Sequence, residues 1–283
     1  MRIFISGANG ALGREMTIML QREGIDFLAT DARQLDITDF RKTHEVLVDY
    51  KPDAILHFAA VSDVDKCEED PETALRVNGV SSLKIAVIAN KLKAKLLYTS
   101  TNFVFDGNSE KPYREYDQPK PINTYGKSKL LGEKYIKDNC DRHFIVRTSW
   151  LFGIHSRNFI SRFLNSNEKP GFLDAVCNRY ASFTYTLDLA KALLLIIRSE
   201  KYGVFHVVNK GVGSFNDFLL KAKQIMKFNT KIKPIRAEKL TLLAERPRYA
   251  PLDSQNYEDL SKQQMRPWED ALADFVGSFS LQS

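Results

Sequence analysis

Arg2-Ile3-Phe4-Ile5-Ser6-Gly7-Ala8-Asn9-Gly10-Ala11-Leu12-Gly13 is the stretch that decides how this chain folds. Its first residues are a short β-branched and aromatic run, the pattern of a buried strand. Three glycines follow at intervals of three, and Met16, Met19 and Leu20 then recur with helical spacing as far as Arg22. Gly7 and Gly10 allow a sharp turn and a close backbone approach to a pyrophosphate, while Gly13 lets the helix pack close to the sheet. The helix start, from Asn9 through Ala11 and Leu12, supplies donors for the phosphates. A strand, glycine turn and helix in this order predict a dinucleotide site.

The residues that follow extend the same pattern. A strand from Phe27 to Thr30 ends at Asp31, where a carboxylate would accept from the adenosine ribose 2′-hydroxyl and favour NADH. Arg33 stands close enough to meet a 2′-phosphate, so NADPH stays open. Leu35-Asp36-Ile37 reads as a short third strand, with Asp36 and Ile37 flanking the adenine. A helix from Asp39 to Tyr50 and a strand from Ala54 to Phe58 come next. Ala59 and Ala60 are small where the backbone must pass the cofactor. A long amphipathic helix is expected from about Pro71 to Leu92. The acids before it, Asp63, Asp65, Glu68, Glu69 and Asp70, read as a solvated helix N-terminus in preference to a metal site. Alternating strands and helices argue for an α/β fold with a doubly wound parallel (Rossmann) sheet in residues 1–150. The less regular residues 151–283 form a smaller, interleaved substrate-binding part. It includes a helix over Asp188–Arg198, a strand over Val204–Val208 and a helix capped by Ser214.

The chemistry sits between Thr99 and Lys129. Ser100 and Thr101 close the apolar run Lys95–Tyr98, and Tyr125 and Lys129 follow with a separation of four. If Asn123 starts a helix, the tyrosine and lysine share one face. A strand-end hydroxyl opposite Tyr and Lys suits carbonyl reduction by a nicotinamide, with the phenol giving its proton to the carbonyl oxygen. A neighbouring ammonium is expected to lower the phenol toward working pH. Gly7, Asp31, Ala59, Ser100, Thr101 and Thr148 all fall just beyond strand ends, where such sheets bind ligands.

Composition narrows the partners. The chain has 283 residues, 43% hydrophobic and 27% charged, with a net charge of +6. Residues 1–150 balance 22 Lys/Arg against 22 Asp/Glu, so the excess lies in 151–283, at 19 against 13. That asymmetry suits an anionic small molecule; the dispersed basic residues argue against nucleic acid. No apolar run reaches the ~20 residues of a membrane helix. The strand at the very N-terminus leaves no room for a signal peptide. Cys67, Cys140 and Cys177 have no metal or disulfide spacing, which suits a cytoplasmic protein without a metal. A homodimer is left open.

Taken together, several strings resemble the dTDP-4-dehydrorhamnose reductase family of extended short-chain dehydrogenase/reductases. They are the glycine turn, Leu35-Asp36-Ile37-Thr38, Val64-Asp65-Lys66-Cys67-Glu68, Ser100 to Gly107, Tyr125-Gly126-Lys127-Ser128-Lys129, Arg147-Thr148-Ser149-Trp150 and, near the C-terminus, Arg246-Pro247 and Trp268-Glu269. The resemblance runs nearly end to end. It implies reduction of the 4-keto group of a nucleotide-linked deoxy sugar in dTDP-L-rhamnose biosynthesis, with Thr101, Tyr125 and Lys129 as the catalytic set. It also implies a role for Asn78 and places Ser62, Val64, Asn102, Phe103, Trp150 and Arg179 around the sugar. Asn102-Phe103 replaces the family's usual Asp-Tyr, Arg179 replaces a glutamine, and Val61-Ser62 replaces Tyr-Thr, a pattern that suggests an altered sugar. The alternatives are a related nucleotide-sugar epimerase or dehydratase, and a non-catalytic subunit similar to the methionine adenosyltransferase beta subunit.

Overall fold

Six parallel strands make the central sheet of the computed structural model, which describes residues 1–156 and 171–279. They are β1 (Ile3–Ser6), β2 (Phe27–Thr30), β3 (Ala54–His57), β4 (Lys95–Thr101), β5 (His143–Thr148) and an edge strand, Gly203–His206. Their order is edge-β5-β4-β3-β1-β2. The chain leaves β1 for β2 on one side and later resumes with β3 on the other. This reversal puts a topological switch point at the carboxyl ends of β1 and β3, where such sheets hold ligands.

Successive side chains of β1 explain why helices cover both faces. Ile3 and Ile5 pack with Met16 and Leu20 of α1 (Ala11–Arg22) and with Leu189, Leu193 and Ile197 of the helix Thr186–Arg198. Phe4 packs on the opposite face with Leu47 of α2 (Phe40–Tyr50), Ile85 of α5 (Ser81–Leu92) and Ile136 of α6 (Thr124–Asn139). A sheet buried on both faces needs apolar residues at successive strand positions, as Ile3-Phe4-Ile5 of β1 and Ala54-Ile55-Leu56 of β3 supply. A third core of Phe152, Phe183, Phe218, Trp268 and Phe275 builds the smaller lobe. The chain then returns to the large sheet through Gly203–His206, which pairs with β5.

Two expected elements differ. Leu35-Asp36-Ile37 is not a strand: Asp31 accepts from the amides of Arg33 and Gln34, and Asp36 accepts from the amide and hydroxyl of Thr38. The alternation at Leu35 and Ile37 instead inserts both side chains under the turn, into the core with Phe4 and Leu47. The long helix expected over Pro71–Leu92 is broken into α4 (Pro71–Ala74), a π-helical turn (Leu75–Val80) and α5, preceded by α3 (Val64–Glu69). Asp63 and Asp70 each cap a new helix start, and Pro71 lacks the amide that continuation from α3 would need.

Candidate active site

The glycine turn lies at the switch point. Gly7 has φ +77°, and a Cβ on it would stand 2.6 Å from the Ala59 nitrogen; a Cβ on Gly13 would stand 2.3 Å from the Gly7 carbonyl oxygen. Both glycines are therefore required by packing between β1, Ala59 and α1. Gly10 differs: its backbone is ordinary (φ −68°, ψ 163°), and a Cβ there would meet only the Gly7 oxygen, at 3.3 Å. It is the N-cap of α1 with no side-chain cap, so the amides of Ala11 and Leu12 await an acceptor. A bare, open helix start of this kind fits a dinucleotide phosphate.

Asp31 follows β2. Its carboxylate accepts from the Asn9 amide, from the Arg33 guanidinium at 3.2 Å and from two backbone amides. Burial pulls it upward, but these hydrogen bonds outweigh burial and hold it below the usual carboxylate range. Ala59 borders Gly7, and Ala60 and Val61 continue past it, where Asn78 pins Val61 through its amide nitrogen (2.9 Å) and its carbonyl (3.0 Å). Asp36 and Ile37 lie in the turn after Asp31, with Ile37 buried.

The catalytic candidates come together as the spacing predicts. Asn123 caps α6 by accepting from the Gly126 amide at 2.8 Å, which sets Tyr125 and Lys129 one turn apart on the helix. Thr101 ends β4, is 6% exposed, accepts from the Phe103 amide at 3.2 Å and lies near enough to Tyr125 to favour its ionised form. Phe103 meets the Tyr125 ring edge-on at 5.7 Å between centroids. The electrostatics differ from expectation. Burial pushes the Tyr125 phenol up to about 12, with only Thr101 pulling it down. Burial also brings Lys129 down to about 7, against the charge of Glu133, and its ammonium lies 4.0 Å above the Tyr98 ring. Desolvation thus dominates both groups, and the lysine does not bring the phenol toward neutrality. Ser100 turns its hydroxyl to Glu133 at 2.6 Å, leaving only its backbone for a cofactor.

A cavity of about 460 Å³ opens beside this set, lined by Asn102, Phe103, Trp150, Arg179, Arg246 and Ala250 among others. Asn102 is 2% exposed, and its amide donates to the Ala250 carbonyl at 3.0 Å. The site therefore spends on the main chain a donor that the sequence suggests for the sugar, and an aspartate here would set a carboxylate against a carbonyl. Trp150 adopts φ +35° and packs edge-on against Phe183 at 5.1 Å. Ser62 and Val64 stand at the start of α3, outside this lining. Arg179 also borders a second cavity of about 400 Å³, with Asn178, Glu238, Leu243 and Arg246.

The acidic run is a solvated helix start only in part: Asp63 and Asp70 are exposed N-caps and Glu69 is exposed, whereas Asp65 and Glu68 are drawn into the fold. Asp65 takes both terminal nitrogens of Arg246 at 2.7 Å and the Ala244 amide at 2.9 Å, and the guanidinium holds it down at about 2. Glu68 accepts from the amide and hydroxyl of Thr124, and Asn123 donates to the Glu245 carbonyl. These bonds tie α3 to the start of α6 and to the cavity wall at residues 244–250. No His, Cys, Asp or Glu group able to hold a metal occurs among the described residues. Asn78, fully buried in the π-helical turn, is signalled only by the family resemblance, and nothing in the spacing signals the partners of Glu133 on α6.

A doubly wound sheet with a glycine turn at its switch point and a Thr-Tyr-Lys set beside it defines an NAD(P)-dependent oxidoreductase of the short-chain dehydrogenase/reductase kind. The RmlD substrate binding domain model matches residues 1–281, and the chain belongs to that family. A dTDP-4-dehydrorhamnose reductase from Streptomyces griseus is 30% identical, over 96% of this chain and 92% of its own. The crystal structure of such a reductase from Bacillus anthracis, in complex with NADP, superposes with a TM-score of 0.94 at 33% identity, covering 98% of this chain and 99% of that one. A Clostridium acetobutylicum relative gives the same TM-score at 32% identity, covering 99% and 100%.

Proposed function

We propose that this protein reduces the 4-keto group of a dTDP-linked 6-deoxyhexose, with dTDP-4-dehydrorhamnose as the best-supported substrate, using NADH or NADPH. The observation that carries the reading is the convergence of Thr101, at the end of β4, on Tyr125, whose phenol it lowers, with Lys129 one turn further along α6. The nicotinamide supplies a hydride to the carbonyl carbon. Tyr125, whose phenol is neutral at working pH, gives its proton to the carbonyl oxygen, and Thr101 holds that oxygen in line. Lys129 then faces a phenolate, and opposite charge favours its ammonium form. Trp150 and Phe103 wall off water on the sugar side. The test is oxidation of NADH and NADPH by purified protein given a panel of 4-keto nucleotide sugars. Turnover of none of them would refute the proposal.

Two expectations concern selectivity. Arg33 largely neutralises Asp31, so both cofactors should serve, with a modest preference for NADH. Asp31→Asn keeps the acceptors that the turn needs and removes the charge. At several ångströms, with the exposed Arg33 guanidinium and water screening the charge, the repulsion of a 2′-phosphate is worth about 1 kcal/mol. The ratio of kcat/KM for NADPH over NADH should therefore rise about fivefold. A wild type strictly dependent on NADPH would contradict this assignment.

Arg179 has no hydrogen-bond or ion-pair partner among the described residues, and burial, with Arg246 nearby, disfavours its charge. An anionic part of the substrate at the seam between the two cavities would relieve both. Charge-assisted hydrogen bonds contribute roughly 1.5–3 kcal/mol, so Arg179→Gln should raise the sugar KM by about ten- to a hundredfold and change kcat little. Steady-state kinetics with an unchanged KM would remove Arg179 from the site.

A further inference from the structure

Tyr125, Lys129 and Glu133 succeed one another at intervals of four on α6. Glu133 is completely buried. One carboxylate oxygen accepts from Ser100 at 2.6 Å and from Arg147 Nε at 2.9 Å; the other accepts from an Arg147 terminal nitrogen at 2.7 Å. Arg147, on β5, is 1% exposed, and its remaining contacts are longer: the Glu115 carbonyl at 3.5 Å, His206 at 3.4 Å and the face of Phe105 at 5.2 Å. One carboxylate thus fastens the catalytic face of α6 to β5 and to the residue before Thr101.

We propose that Glu133 is a positioning residue for the reduction: clamped by Arg147 and Ser100, its carboxylate fixes α6 against the end of β4 and serves as the buried counter-charge of Lys129. The groups that face Lys129 from other elements support this. His57 on β3 is held down at about 3 by burial and by Lys129, and so is neutral. Cys67 on α3 is pushed up to about 11 by burial and nearby acids, and Tyr98 on β4 well above its ordinary value. Tyr125, on the same helix, is neutral as well. Among the described residues that face Lys129, Glu133 is the carboxylate, ion-paired with Arg147 at 2.7 Å, and its effect opposes the burial that lowers the lysine.

The test reads the Lys129 amine directly, so it does not depend on knowing the sugar. Protein labelled with 13C at the lysine ε-carbon is titrated by NMR, with Lys129 assigned by its absence in Lys129→Met. Glu133→Gln keeps the shape and removes the charge; Glu133→Gln/Arg147→Gln removes both charges, so that no guanidinium is left buried alone. Either neutral variant should titrate Lys129 at least about one pH unit lower than wild type, equivalent to a tenfold change in its protonation equilibrium. Glu133→Asp should stay near wild type. With a working substrate, the loss of kcat as pH rises should move to lower pH by the same amount, because the ammonium is the form required. A folded neutral variant with an unmoved Lys129 titration would overturn the proposal. If neither neutral variant folds, Ser100→Ala decides. It cuts only the tie to β4, and should lower kcat several-fold with cofactor Kd unchanged; an unchanged kcat, or a loss confined to cofactor binding, would overturn the positioning role.

Discussion

Tyr125→Phe should lower turnover by about 10²–10⁴-fold, the usual worth of a positioned general acid, and leave cofactor affinity within twofold. The substitution removes one hydroxyl from a ring whose place is set by other things. Asn123 fixes the helix start, and Phe103 holds the ring edge. The lost atom is the phenol oxygen whose ionisation Thr101 favours. With the phenol at about 12, wild-type Tyr125 holds its proton until a substrate oxygen gains charge. The residual rate in the variant would come from orientation alone. Single-turnover rates with saturating cofactor, and cofactor Kd from nicotinamide fluorescence, separate the two effects. A variant with wild-type turnover would mean that another acid acts.

How much of this site the sequence discloses follows from how local each cause is. The Asn123 cap and the i, i+4 pair are decided within eight residues, and the structure places them where the spacing does. β1, the glycine turn and α1 are equally local. Leu35 and Ile37 show the limit of periodicity. Two apolar residues separated by one can line a strand face or plug a turn, and the Asp31 and Asp36 side chains select the turn. The Asp65–Arg246 and Glu133–Arg147 pairs were out of reach for another reason. Their members lie 181 and 14 residues apart, and only the completed fold brings them together. The same holds for Lys129: its spacing predicts the company of Tyr125, whereas its low pKa arises from burial among β3, β4 and α3.

Gly10→Val should abolish NADH and NADPH binding, weakening it at least about a hundredfold, or roughly 2.8 kcal/mol, while the fold survives. The three glycines of the turn are not equivalent, and the difference separates packing from ligand binding. Any side chain on Gly7 or Gly13 runs into backbone: 2.6 Å from the Ala59 nitrogen in one case, 2.3 Å from the Gly7 oxygen in the other. Gly7 is also in the left-handed region, at φ +77°. Substitution at either should unfold or distort the switch point, so a loss of cofactor there proves little. At Gly10 the backbone sits where valine is comfortable, and the nearest obstacle is a single oxygen at 3.3 Å. Valine's two methyls would project from the exposed N-cap over the free amides of α1, the place a phosphate must occupy to be bound there. The thermal midpoint without cofactor should therefore stay within a few degrees of wild type. The stabilisation that added cofactor gives the wild type, set by its concentration over Kd, should vanish. A Gly10→Val protein that melts with the wild type and is still stabilised by NADPH to the same degree would show that the pyrophosphate does not rest on this turn.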